Sequence, residues 1–296
     1  MATFDASKLN LPFMKYRKIF IGISVVCIII SFGLLLTKGL NFGVDFTGGL
    51  VLQVEFEKDT DVADVRAALS TINEGGATIQ AFDSKDIMLR FQAQDDNVRK
   101  KVLEVLKSQI GPYKVLRIDK IGPVVGSELR MQAIISLLLA LAGILIYMAF
   151  RFRFRFGVAA VLALMHDVIL MLGVYSLTGK EISVTFIAAI LTVAGYSLND
   201  SIVVLDRIRE NWSQLKGKDA GGIAVLVNTS VNQTLSRTIN TSLTTLLPVI
   251  SMYIFGGEVI SNFAFAFLVG ILVGTYSSIY VASSVLVEWY MHSPKY

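Results

Sequence analysis

The chain has 296 residues, of which 54 % are hydrophobic and 17 % charged, with a net charge of +4. A soluble domain of this length carries more charge, and here the apolar residues gather in runs of about 18 or more, long enough to cross a bilayer core as helices. The composition therefore excludes an ordinary soluble protein. One cysteine, Cys27, excludes an intrachain disulfide. Two histidines give no metal cluster, and a modest positive charge spread over short loops gives no nucleic-acid footprint.

Residues 1–18 read as a cytoplasmic N-terminus and 19–37 as the first transmembrane helix, preceded by Lys15, Arg17 and Lys18. The charge order is that of a signal peptide. The apolar run is longer than a usual signal core, however, and "LTKGLNFG" offers no small-x-small cleavage site, so it reads as an uncleaved anchor.

A polar block over 38–129 follows. "VLQVEF" (51–56) alternates as a strand, and "DVADVRAALSTI" (61–72) sets Val62, Val65, Leu69 and Ile72 on one side of a helix. Two strands, 77–82 and 86–92, precede a second amphipathic helix over 95–110 that stops at Gly111-Pro112. "YKVLRI" (113–118) is the last strand. The β-α-β-β-α-β order predicts a small α+β, ferredoxin-like domain.

The remainder, 130–296, holds five further spans at about 131–150, 156–177, 182–205, 238–256 and 260–290, which makes a membrane protein of six transmembrane α-helices. Arg151, Arg153 and Arg155 lie in "RFRFRF" between spans two and three, and Arg207, Arg209, Lys216 and Lys218 lie between spans four and five. The turns at 178–181 and 256–259 hold only Lys180. This asymmetry predicts cytoplasmic termini and an outer domain. "RFRFRF" reads as a cytoplasmic loop with interfacial Phe anchors. The loop 206–236 carries a breaker, "KGKDAGG", and then "IAVLVNTSVNQTL" (223–235), which either lies flat on the inner surface or packs beneath the bundle.

Ionisable groups inside spans are functional candidates by default. Here they are His166, Asp167, Asp200 and Arg237. At about 1.5 Å per residue, Asp167 sits near the midplane and Asp200 about 10 Å inside Arg207. Arg237 opens span five at a similar inner level. Hydrocarbon disfavours a bare carboxylate and a nearby guanidinium favours it, so an Asp/Arg contact that breaks and reforms is a proton switch. Tyr196, Ser197, Asn199 and Ser201 surround Asp200 in sequence. Span five carries Thr234, Arg237, Thr238, Thr241 and Thr245 at helical spacing, with Pro248 after them. That stripe lines a wet path or makes ordinary helix–helix hydrogen bonds. His166 and Asp167, as neighbours, point in different directions and need not pair. They are a second relay group or a polar pair that fixes packing. Gly270, Gly274, Ser278 and Ala282 repeat every four residues as a packing surface, either within the bundle or for a partner.

"LNFGVDFTGG" (40–49), "GYSLNDSIVVLDRIREN" (195–211) and "SRTINTS" (236–242), in that order in a six-span chain, resemble the SecD/SecF family in its SecF branch, within the resistance-nodulation-division superfamily. The resemblance covers nearly the whole chain. It implies one six-span half of a pseudo-twofold bundle in the bacterial inner membrane, with SecD as the other half. It implies work with the SecYEG translocon, with YajC and YidC as further partners, on an unfolded polypeptide in transit. The implied drive is the proton gradient, with Na⁺ as the alternative coupling ion and no other cofactor, and the chain is not an enzyme. By motif, Asp200 and Arg237 match the family's acidic and basic pair. Gly43, Asp45, Phe46, Gly48 and Gly49 match the hinge that leads into the outer domain. Three other readings compete: half of a small-molecule or lipid exporter of the same superfamily, an intramembrane aspartyl enzyme using Asp167 and Asp200, and a structural subunit that clamps the translocon.

Overall fold

The structure, a computed structural model, describes residues 11–91, 96–213 and 220–292. Its elements in chain order are α1 (Arg17–Thr37), β1 (Asn41–Phe42), α2 (Val44–Thr47), β2 (Gly49–Phe56), α3 (Val62–Ser70), β3 (Thr78–Ala81), β4 (Asp86–Phe91), α4 (Asp96–Gln109) and β5 (Tyr113–Ile121). There follow α5 (Pro123–Arg151), α6 (Phe154–Thr178), β6 (Glu181–Ile182), α7 (Val184–Trp212), α8 (Ala220–Phe255), α9 (Glu258–Tyr276) and α10 (Ser283–His292). A π-helical turn, Ser277–Ala282, joins α9 to α10. The chain divides into two compact units, Phe42–Ile135 and the remainder.

In the smaller unit the four strands form an antiparallel sheet in the order β3-β4-β2-β5. β2 is central, paired to β4 with Leu52 opposite Leu89 and to β5 with Leu52 opposite Ile118. The period of two decides which face each residue takes. Leu50, Leu52, Val54 and Phe56 of β2 join Ile87, Leu89 and Phe91 of β4 against Val65 and Leu69 of α3 and Val102 and Leu106 of α4. Val51 and Met88 turn the other way and meet Val44 of α2. Each fully buried aliphatic side chain is worth about 1.5–3 kcal/mol. The ends are set locally: the Asp61 carboxylate caps α3 by accepting from the Ala63 amide at 3.0 Å. Gly111, at φ 140°, follows α4.

In the larger unit α6 and α7 are central. Half of the side chains in their apolar stretches are buried, against 11 % for α1. Among the described residues six helical stretches are long and apolar enough to cross a membrane: Arg17–Thr37, Val124–Arg151, Phe154–Thr178, Val184–Trp212, Gly222–Phe255 and Val259–His292. The small residues of α9 serve contact inside this unit. A Cβ at Gly270 would stand 2.5 Å from Val193 Cγ1, and one at Gly274 would stand 3.0 Å from Ser197 Cβ. Gly173 of α6 gives Ser31 of α1 the same close approach.

Two expectations for this unit need correction, and one alternative is decided. "RFRFRF" is not a loop of interfacial anchors. α5 ends at Arg151 and α6 begins at Phe154, so the turn is two residues long. Phe152 and Phe156 lie four apart and both pack into the core; Phe154 stays exposed. Of the two readings of 223–235, packing against the bundle holds and a separate helix flat on the surface does not. These residues are the first part of α8, with Ile223, Val227, Val231 and Leu235 in the same core as Ile208 and Leu286. The loop expected over 206–236 is correspondingly shorter, because α7 continues to Trp212. Lys216, Lys218 and the start of "KGKDAGG" lie outside the described residues, as do residues 1–10 of the expected N-terminus.

The segment before α1 is tied to α8. Asn232 Oδ1 accepts from the Leu11 amide at 2.8 Å, and Asn232 Nδ2 donates to the Leu11 carbonyl at 2.9 Å. The Met14 amide donates to Asn228 Oδ1 at 3.1 Å. Phe13 and Met14 enter the core, and Arg17 pairs with Glu288 of α10 at 2.7 Å. On the same unit Arg151 pairs with Asp206 at 2.5 Å.

Candidate functional site

α7 carries the site because its apolar residues hold it in the middle of the unit while small polar residues interrupt it. Asp200 is 2 % exposed, and its Oδ2 has no hydrogen-bond partner among the described residues. Arg237 of α8 is the cation whose charge acts on Asp200. Its side chain is exposed. No hydrogen bond or ion pair joins the two among the described residues. A buried polar atom without a partner costs about 1–3 kcal/mol.

Asp200 Oδ2 is not alone in this. Ser201 Oγ on α7, Thr238 Oγ1 on α8 and Ser284 Oγ on α10 are also buried without partners among the described residues. These helices pack on one another, α7 on α8 and α8 on α10. The arrangement can accept a proton at a carboxylate and offers hydroxyls that either give or receive hydrogen bonds.

The other candidates fall in different places. Asn199 is exposed and points away from the buried side of α7, whereas Ser201 is 1 % exposed. Tyr196 donates its hydroxyl to Ser242 Oγ of α8 at 3.4 Å, and Ser242 shares a hydrogen bond with Thr275 of α9 at 2.7 Å. Thr241 donates to the Arg237 carbonyl at 2.8 Å, and Thr245 donates to the Thr241 carbonyl at 2.8 Å. Much of the threonine stripe of α8 therefore bonds back onto its own helix. α8 continues through Pro248, whose ring leaves the Thr244 carbonyl without its i+4 amide.

His166 and Asp167, although sequence neighbours, do pair. His166 Nδ1 lies 3.0 Å from Asp167 Oδ1. Asp167 Oδ2 accepts from Ser197 of α7 at 2.5 Å and from Ser277 of the π turn at 2.8 Å. Ser277 carries no local signal in the sequence that marks it for this contact.

In the smaller unit the GVDFTGG stretch is a one-turn helix. Gly43 caps it in extended conformation, Val44 and Phe46 are buried, and Asp45 lies in its first turn. Gly48 (φ 70°) and Gly49 (φ 133°) then reverse the chain into β2 with a backbone that disfavours L side chains. A Cβ at Gly126 would meet the Gly48 amide nitrogen at 2.9 Å, so the glycine pair packs directly on the start of α5.

Comparison with known proteins decides the family. Residues 101–292 match the family described as protein export membrane protein SecD/SecF, C-terminal, and residues 33–60 match the SecD/SecF GG motif. The protein translocase subunit SecF of Desulfurispirillum indicum is 48 % identical over 287 residues, which cover 94 % of this chain and 91 % of that protein.

The chain belongs to the SecF family of protein translocase subunits.

The SecF of Pseudomonas aeruginosa is 41 % identical over 94 % of this chain and 91 % of its own length. A crystal structure of SecDF from Thermus thermophilus, described as a translocon-associated membrane protein, matches with a TM-score of 0.88 at 42 % identity, over 96 % of this chain and 39 % of that one. SecDF in a super-membrane-facing form matches with a TM-score of 0.70 at the same identity, over 95 % of this chain and 39 % of that one. The SecF-family chain thus spans well under half of these SecDF chains. It is a multi-pass membrane protein of protein transport.

Proposed function

We propose that this chain is the SecF half of a SecD–SecF complex that uses the proton gradient to help complete protein export across the bacterial inner membrane. Asp200 is the residue that takes and releases the proton, and Arg237 is the cation whose approach or withdrawal sets its charge. The observation that carries the reading is Asp200 Oδ2, buried and without a hydrogen-bond partner among the described residues. A structural clamp has no need of such a group, and ionisable side chains at this depth are costly to keep. One proton crossing about 100 mV supplies about 2.3 kcal/mol, so a large stroke draws on several protons.

The orientation follows from charge. Lys15, Arg17, Lys18, Arg151, Arg153, Arg155, Arg207 and Arg209 gather at one end of the spans, which is assigned to the cytoplasm with both termini. The four-stranded unit is a ferredoxin-like domain on the outer side, with Gly48-Gly49 as its hinge. There it holds the emerging unfolded polypeptide delivered by SecYEG, with YajC and YidC as further partners.

Pulse-chase labelling of a secreted precursor, in cells whose own SecF is replaced by this chain, tests the assignment. The intact chain restores precursor maturation. The variants Asp200→Asn and Arg237→Ala each slow it while SecD still co-purifies. Normal maturation with both variants would remove the relay from the account.

A further inference from the structure

Asp167 has no solvent exposure at all, and its oxygens are fully engaged. Two hydroxyls donate to Oδ2, from Ser197 at 2.5 Å and Ser277 at 2.8 Å, and the His166 ring nitrogen Nδ1 lies 3.0 Å from Oδ1. The other ring nitrogen, Nε2, is buried and has no partner among the described residues. The neighbouring aromatic ring does not supply one. Tyr276 stacks near-parallel to the imidazole at 6.0 Å, but its hydroxyl is spent on α1, donating to the Phe20 carbonyl at 2.9 Å and bonding Ser24 Oγ at 3.0 Å.

The donor count favours one arrangement. With Asp167 ionised and the His166 proton on Nδ1, the carboxylate accepts from three donors, the two serine hydroxyls and Nδ1–H. With Asp167 ionised and His166 neutral, the enclosed pair carries one net negative charge, which burial penalises. Adding one proton makes the pair neutral overall. The carboxylate oxygens already face three donors, and the free lone pair is on Nε2. The titratable groups around the pair are Tyr276 of α9, Tyr280 of the π turn against Tyr276, Cys27 of α1 beside Tyr276, and Asp200 of α7 three residues beyond Ser197.

We propose that His166 and Asp167 form a second proton-binding site in the membrane-spanning unit, where the proton enters at Nε2 of His166 and Asp167 remains the carboxylate counter-ion. The balance is one H⁺ plus a neutral imidazole giving an imidazolium, with no other bond made or broken. The site extends the proton-driven reading of Asp200. Its carboxylate also ties α7, through Ser197, to the first residue of the π turn. Such turns are found mostly where a helix serves function. A change of charge at the pair therefore acts on the helix that bears Asp200.

The test uses the full chain in lipid bilayers with ¹⁵N-labelled histidine. The chain has two histidines, and His292 is exposed and remote from the pair, so His292→Ala leaves one imidazole to read. At about pH 8 the spectrum should show one bare and one protonated ring nitrogen, with the proton on Nδ1. On acidification the bare-nitrogen signal should be lost as Nε2 takes the proton. Asp167→Asn should abolish this uptake over the same range. Asp200→Asn should leave it in place, which separates failure of this site from failure of the Asp200 relay. A bare nitrogen that persists throughout, a proton already on Nε2 at the higher pH, or unchanged titration in Asp167→Asn would each overturn the proposal. The first two readings need only the native pair, so a misfolded Asn variant does not leave the question open.

Discussion

The Ser197 hydroxyl donates to Oδ2 of Asp167 at 2.5 Å. Three residues farther along the same helix, Asp200 holds a buried carboxylate oxygen with no partner among the described residues. α7 thus carries one acidic contact that is saturated with donors and one carboxylate that is not. The first fixes the helix against α6 and the π turn. The second has no such contact among the described residues.

The fit of α7 against α9 depends on small residues, and adding one methyl group should show it. In Gly270→Ala the new Cβ meets the stiff, branched side chain of Val193, with Cγ1 at 2.5 Å. Overpacking of this kind costs about 1–3 kcal/mol. The expected outcome is a lower midpoint of thermal unfolding in detergent for Gly270→Ala, and an unchanged midpoint for Gly22→Ala, whose Cβ has nothing within 4 Å.

Asp86 gives the four-stranded unit a pH dependence of defined sign. Burial pushes its carboxyl above the ordinary range, Gln53 opposes this by donating to both oxygens at 3.0 and 2.9 Å, and Glu55 and Asp83 add to the rise. A folded-state value above the unfolded one means the native unit holds this proton more tightly. The contribution to stability is full below the unfolded value and is lost as pH rises through the folded value. Asp86→Asn has no proton to lose. Its stability relative to the native sequence should therefore improve as pH rises from about 3 to 7, read by hydrogen exchange of β4 amides corrected for intrinsic rates. A relative stability that falls over that range would contradict the sign.

The Asn232 side chain closes two hydrogen bonds on Leu11. Hydrogen bonds of this kind are worth about 0.5–1.5 kcal/mol each. Asn232→Ala should release the segment before α1, with cleavage after the exposed Lys15 by trypsin rising roughly 5- to 30-fold. No change in cleavage would show that Phe13 and Met14, buried in the core, hold the segment alone.

The spans and the strands were legible because their signals are long or strictly periodic. Runs of about 18 apolar residues mark a spanning helix wherever they occur, and β2 alternates so regularly that Leu50, Leu52, Val54 and Phe56 could only share a face. Asp200 was legible as an acid in an apolar context. What escaped were features that depend on neighbours in space. Arg–Phe alternation suggests a surface loop, yet once α5 and α6 close to a two-residue turn, the four-residue spacing of Phe152 and Phe156 sends both inward. The stretch 223–235 fuses to α8 because its apolar face finds Ile208 and Leu286, which no local rule reveals. Asn199 and Ser201 are equally polar in sequence, and only the packing of α7 makes one exposed and the other buried. His166 and Asp167 pair although helical geometry separates neighbours, because the imidazole and two serine hydroxyls converge on a carboxyl group that burial cuts off from water.

Gradient-dependent completion of export in inverted vesicles reads the proposed role of Asp200 directly. The intact chain and Asp200→Asn are compared at matched levels with the same SecD partner. The intact chain should accelerate export when a proton gradient is imposed, and Asp200→Asn should lose that response while the complex stays assembled. A full gradient response from Asp200→Asn would contradict that role and move the proton pathway away from α7.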